Sequence, residues 1–160
     1  MSSVVDTVSK VWEIMKDNVP QLDHNTMIAN AIPGGADWSQ LSPAAGTNVK
    51  RINYHTEWDW GVSETSTDIV LKLAWAYGSR YHGGGAFIPS VYAWIESADV
   101  AWGNDVTITF QPGNPYLQGS ESAPYAVLPI MVEFRETSPA DDNHETYSYS
   151  LHGYGPATTN

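Results

Sequence analysis

Two runs of strict alternation constrain this chain more than any other feature. In residues 52–60, Ile52, Tyr54, Thr56, Trp58 and Trp60 alternate with Asn53, His55, Glu57 and Asp59. In residues 68–77, Ile69, Leu71, Leu73, Trp75 and Tyr77 alternate with Asp68, Val70, Lys72, Ala74 and Ala76. Successive side chains on a β-strand point to opposite faces, so a period of two marks a strand with one face buried. Around the end of the second run, residues 74–95 hold six aromatic residues, four glycines and one proline. That passage reads as two strands joined at a tight turn. Gly83, Gly84 and Gly85 supply the positive φ or close backbone approach that such a turn requires.

Further strands are expected at residues 87–96, 106–110, 125–134 and 146–152. Pro129 has no N–H to give to a ladder, which predicts an edge strand or a bulge at its segment. Residues 4–16 read differently. Val4, Val8, Val11, Trp12 and Met15 share one face at helical spacing, with Lys10, Glu13 and Lys16 opposite. The preferred reading there is an amphipathic helix, against a short strand over residues 11–15. Residues 21–49 are rich in Pro, Gly, Asn and Ala and read as a connecting segment, with one helical turn beginning at Asp37. The last residues, PATTN, are expected to fray.

The expected fold is mainly β. It is a single-domain antiparallel β-sandwich of six to seven strands, immunoglobulin-like or jelly-roll-like, with one N-terminal amphipathic helix. Residues 1–20 would carry the helix, 21–49 the connection and 50–155 the sandwich. The full 160 residues suit one such core without staples. No cysteine is present, which excludes disulfides, thiolate ligands and a cysteine nucleophile.

Eighteen acids face seven bases, and after Arg80 only Arg135 is basic. Such a surface repels phosphate backbones and anionic lipid, so no nucleic-acid partner is expected. No apolar run approaches the roughly 18 residues of a membrane span, and the N-terminus lacks the basic and apolar regions of a secretory signal. The protein is expected to be cytoplasmic as synthesised, or exported without a classical signal peptide.

Motifs for covalent chemistry do not survive inspection. The run Gly119-Ser120-Glu121-Ser122-Ala123 lacks the second glycine of a nucleophile elbow. The three glycines at 83–85 have no following Lys-Ser/Thr to cradle phosphate. Glu57, Asp59, Glu96 and Glu133 fall on expected strands, where a carboxylate pair could in principle hydrolyse a glycosidic bond. A concave pocket lined by Glu57, Asp59 or a histidine would favour that enzyme reading.

Two places could gather oxygen ligands. His55, Glu57 and Asp59 would rise in a row on one strand face. Asp141, Asp142, Asn143 and Glu145 crowd one expected loop, residues 139–145, where calcium is the fitting ion. Asn104 and Asp105 after Gly103 form a weaker candidate of the same kind. No cofactor is required by this reading, and calcium is the one candidate.

Seven Trp and nine Tyr exceed what a core of this size needs. Each has an apolar body with a polar tip suited to contact surfaces. Tyr77, Tyr81, His82, Tyr116, Tyr147, Tyr149 and Tyr154 fall near strand ends or on the terminal strand. Tyr81, His82, Tyr116, Tyr147 and Tyr149 are the ligand-binding candidates among them. The expected function is non-enzymatic, lectin-like recognition of a glycan or cell-surface ligand by a homo-oligomer. A self-assembling structural subunit and a small membrane-active, pore-forming toxin are the alternatives.

Overall fold

A computed structural model describes residues 3–4, 10–15, 27–33, 40–59 and 64–160. The described strands are β1 (Ser3–Val4), β2 (Lys10–Met15), β3 (Met27–Pro33), β4 (Gly46–Asp59), β5 (Glu64–Tyr77) and β6 (Ser79–Tyr81). They continue with β7 (Gly84–Asp99), β8 (Asp105–Pro112), β9 (Tyr116–Ser120), β10 (Ala123–Thr137), β11 (Asp142–His152) and β12 (Ala157–Thr159). The protein is mainly β, and its strands join into one curled, mixed sheet.

One half of the sheet is the ladder β4–β5–β7–β3–β1, and the other is β2–β8–β10–β11–β12 with β9 also on β10. These ladders are antiparallel throughout. The halves are joined by a parallel bridge between Ala86 of β7 and Tyr125 of β10. They also face each other across a shared core. Ile52, Tyr54, Leu71 and Leu73 come from one side, and Ile108, Val132 and Phe134 from the other. Tyr54 stacks on Phe134 with ring centroids 4.9 Å apart and planes 7° from parallel. Burying each of these side chains contributes about 1.5–3 kcal/mol, which is what holds the curl shut.

Opposite the parallel bridge, β4 and β11 meet without backbone pairing. Side chains span the seam instead. The Asn143 amide donates to the Tyr54 hydroxyl at 3.0 Å, and the Asn48 amide donates to the Gly155 carbonyl at 2.6 Å. The Lys50 ammonium sits 4.8 Å from the centre of the Tyr149 ring.

The expected alternations are observed in β4 and β5, where Ile52, Tyr54, Ile69, Leu71, Leu73 and Trp75 point into the core. Elsewhere the structure departs from the reading of the sequence. Lys10–Met15 is a strand on the outer edge of β8, not part of a helix; the rest of residues 5–16 lies outside the described residues. Val11, Trp12 and Ile14 favour a strand, and pairing covers an edge of β8 that would otherwise stand open. Within the expected connection 21–49, Met27–Pro33 is a strand paired with β7. The helical turn expected at Asp37 begins outside the described residues.

Pro129 does not make β10 an edge. Its carbonyl accepts from Gly113 N, on the side where pairing passes from β9, ending at Ala126 with Leu117, to β8, starting at Ile130 with Pro112. A residue's N–H and C=O point to the same side of a strand, so the missing donor falls in that gap and costs no ladder bond. The tail is tied down rather than frayed. Ala157–Thr159 pairs with β11, and the Ser150 hydroxyl donates to the Asn160 side chain at 2.7 Å. Among the described residues no helix is long and apolar enough to cross a membrane.

Candidate functional site

The two ends of β11 carry two different concavities. At the Asp142 end, β4 and β11 splay apart and leave a cleft of about 430 Å³. His55, Glu57 and Asp59 line it from one side, and Asp141, Asp142, Asn143 and Glu145 from the other. Two separate ligand candidates from the sequence are thus brought to one place. Among the described residues, however, no three His, Asp or Glu side chains are set to hold a metal ion.

Strand geometry explains this. Residues 138–141 form the loop, closed by bonds from Ser138 N and Ser138 Oγ to the Asp141 carbonyl, and Asp142 already begins β11. From there side chains alternate. Asn143 reaches Tyr54, and Glu145 accepts from the Tyr147 hydroxyl at 2.7 Å. His144 instead faces Glu133 at 3.3 Å. Asp141 spends one carboxyl oxygen on the backbone N–H of Asp142. His55 is held by Asp68 at 2.5 Å and Glu57 at 3.4 Å. Those hydrogen bonds, Asp68's first, raise the imidazole above its ordinary pKa.

Behind the cleft lies a polar node that the sequence did not mark. Glu136 is completely buried. Its carboxyl group accepts from Thr56 and Thr67 hydroxyls at 2.6 Å each, from the Asn104 amide at 2.9 Å and from the Tyr54 hydroxyl at 3.0 Å. Each hydroxyl in turn accepts a bond, from Trp58 Nε1, Ala101 N and Asn143 respectively for Thr56, Thr67 and Tyr54. Three chains of polarised bonds therefore converge on one buried group and knit β4, β5, β10 and β11 together. Burial is the main cause that raises the Tyr54 phenol above its ordinary pKa. Asn104 is thereby committed to Glu136, and Asp105 is exposed at the start of β8.

The His152 end is built otherwise. Two hairpin tips stand side by side here. Between β6 and β7 the turn residues are His82 and Gly83, both with positive φ (50° and 75°), the pairing that a two-residue I′ hairpin requires. Between β9 and β10 the Ser120 hydroxyl accepts from Ala123 N at 3.1 Å. The parallel bridge of Ala86 with Tyr125 lies at the foot of both hairpins. Between them runs a groove of about 560 Å³, lined by Arg80, residues 83–86 and 122–125, and Tyr154. Its volume falls within the range of small-molecule sites.

Tyr125 and Tyr154 meet edge to face with centroids 4.7 Å apart, and Tyr154 is 53% exposed. His152 lies behind them, 5.3 Å from Tyr154 and 6.1 Å from Tyr125. Its Nε2 is 2.9 Å from the Thr158 hydroxyl, while Nδ1 is buried and has no partner among the described residues. Burial lowers its pKa below the ordinary value. Gly153 lets the chain cross tightly beneath the groove, since a Cβ there would lie 2.2 Å from the Ala86 carbonyl oxygen.

The tyrosines singled out in the sequence do not form one site. Tyr81 and His82 sit on the hairpin beside the groove, ring centroids 4.1 Å apart, with Tyr81 packed against the core. Tyr116 is exposed on β9. Tyr147 packs against the core and touches Glu145; burial and that bond push its hydroxyl up to about 12. Tyr149 is buried in the core under Lys50. The groove's own rings are Tyr154, which the sequence placed only among the strand-end tyrosines, and Tyr125, which it read as part of a strand. Of the carboxylates weighed for hydrolysis, Glu96 is paired with Arg51 at 2.7 Å and Glu133 lies near Arg135 and His144. Glu57 and Asp59 line the acidic cleft. Comparison with protein-family models, curated proteins and solved structures returns no match.

Proposed function

We propose that the protein is a non-enzymatic carbohydrate-binding protein and that the sugar ring lies against Tyr154 in the groove between the two hairpin tips. The observation that carries this reading is the half-exposed Tyr154 ring, braced edge to face by Tyr125 and faced by a wall of glycines. An aromatic face held rigid by a second ring offers flat apolar area at little entropic cost, and sugar rings present matching C–H faces. Residues 83–85 carry no side chains, and a Cβ at Gly83 or Gly84 would meet almost nothing, so a bulky ring can approach the backbone there.

A glycan array read with and without calcium is the first test. Binding to a defined glycan, reduced about tenfold or more in Y154A with an unchanged thermal midpoint, is the expected result. An array without any binding would remove the reading.

A second reading attaches to the acidic cleft, because His55, Glu57 and Asp59 do line a concave surface. On that reading the chain is a hydrolase using a carboxylate pair. Release of reducing ends from polysaccharides, abolished in E57Q or D59N, would favour it over binding alone.

A further inference from the structure

We propose that the groove takes an anionic sugar, one bearing a carboxylate or a sulfate, and that Arg80 is the residue that binds the anionic group. This rests on the carbohydrate reading and adds to it the chemical class of the ligand.

The observation is an accounting of cations. Among the described residues, Arg51 is paired with Glu96, Arg135 lies 3.4 Å from Glu133, and Lys50 and Lys72 sit over the rings of Tyr149 and Trp94. Arg80 is different. Its guanidinium has neither a carboxylate nor a ring partner among the described residues, and Arg80 lines the groove. Among the described residues the groove lining contains no acidic residue, in a chain whose net charge is −11. An unpaired cation beside the tyrosine pair, with carboxylates kept out, is a site for a negative group.

The mounting of Arg80 supports the assignment. Its backbone N–H donates to the Ser42 hydroxyl at 2.8 Å, and its carbonyl accepts from Ser42 N at 2.9 Å. The main chain is thus fixed on both of its polar groups, while the side chain of this exposed, groove-lining residue has no partner among the described residues. A planar guanidinium matches the two oxygens of a carboxylate or sulfate with paired N–H donors, which a lysine cannot do. Over the surface as a whole acids outnumber bases and repel an anionic ligand, so the attraction that holds one must come at short range from Arg80.

The test is an array of neutral, uronate-bearing and sulfated glycans, followed by calorimetric titration of the best anionic glycan into the parent protein, R80K and R80Q. Anionic glycans should bind at least about tenfold tighter than neutral ones of the same backbone, more weakly as salt rises. R80Q should lose about ten- to a hundredfold for the anionic glycan, with R80K between. Selectivity for uronates alone or for sulfates alone would each support the assignment and identify the group. Equal or tighter binding of neutral glycans, or anionic affinity unchanged in R80Q, would overturn it while leaving the carbohydrate reading standing. Absence of binding to every glycan would overturn both.

Discussion

At the Asp142 end of β11, polar groups are many and mostly bonded to one another, with Thr65 Oγ1 and Asn104 Oδ1 the buried atoms left without a partner among the described residues; at the His152 end polar groups are few. The acidic cleft is rich in carboxylates, yet His55 is held by Asp68 and Glu57, Asn143 by Tyr54, and the buried Glu136 behind it by four donors. The groove has a half-exposed tyrosine and Arg80, which has no ion pair among the described residues; the buried His152 Nδ1, also without a partner among them, lies behind the groove's rings. Saturated polar networks hold structure, and unsaturated ones beside a concavity are where a ligand is gained. On the proposed reading the acidic end serves stability and the aromatic end serves binding. Exposure alone would not make that distinction. Trp102, at 67% the most exposed large aromatic among the described residues, stands on the turn after β7 and lines neither concavity.

The largest effect expected from this contrast is on folding. E136Q turns an acceptor oxygen into an amide NH2 that faces donors, and should cost about 3 kcal/mol or more. For a chain of this size that lowers the thermal midpoint by roughly 6–12 °C. A midpoint within a degree of the parent would break the structural reading of the acidic end.

Next in size is the effect on binding. Y154A should weaken glycan affinity at least about tenfold with the midpoint unchanged, whereas D59N should leave affinity unchanged. The opposite pattern would move the binding site to the cleft.

Much of this contrast was hidden from the sequence, and the reasons are physical. The alternations at 52–60 and 69–77 are local, so β4, β5 and the inward direction of Tyr54 and Trp75 could be read directly. The glycine turn was equally legible, because His82 and Gly83 need only their own φ angles. The N-terminal segment was not. Val11, Trp12 and Met15 satisfy a helical period, and only the open edge of β8, about a hundred residues away, decides for a strand. Glu136 fell beyond the expected strand 125–134 and carried no local signal, because its donors come from β4, β5 and the turn after β7. The groove was equally unreadable. Arg80, Tyr125 and Tyr154 are brought together by the parallel bridge and the crossing at Gly153, neither of which leaves a local pattern.

The smallest expected effect is on proton binding, and its sign differs between the two ends. His55, with its folded pKa raised by Asp68 and Glu57, binds its proton more tightly folded than unfolded. Its contribution to stability is complete below the unfolded value of about 6.5 and fades as pH rises through the folded one. His152, with its pKa lowered by burial, behaves in reverse. Its contribution is complete above about 6.5 and is lost as pH falls through that value toward the folded one. Acidification should therefore loosen the groove before the cleft. Titration of the imidazole carbons by NMR should place His55 above about 6.5 and His152 below it; the reverse order would contradict both environments.

The division of labour between the two ends is tested most directly by NMR shift mapping of the intact protein with the tightest glycan from the array. The account predicts that the shifted residues are Arg80, Gly83, Gly84, Gly85, Tyr125 and Tyr154. Shifts gathered instead at His55, Glu57, Asp59 and Asp142 would contradict it.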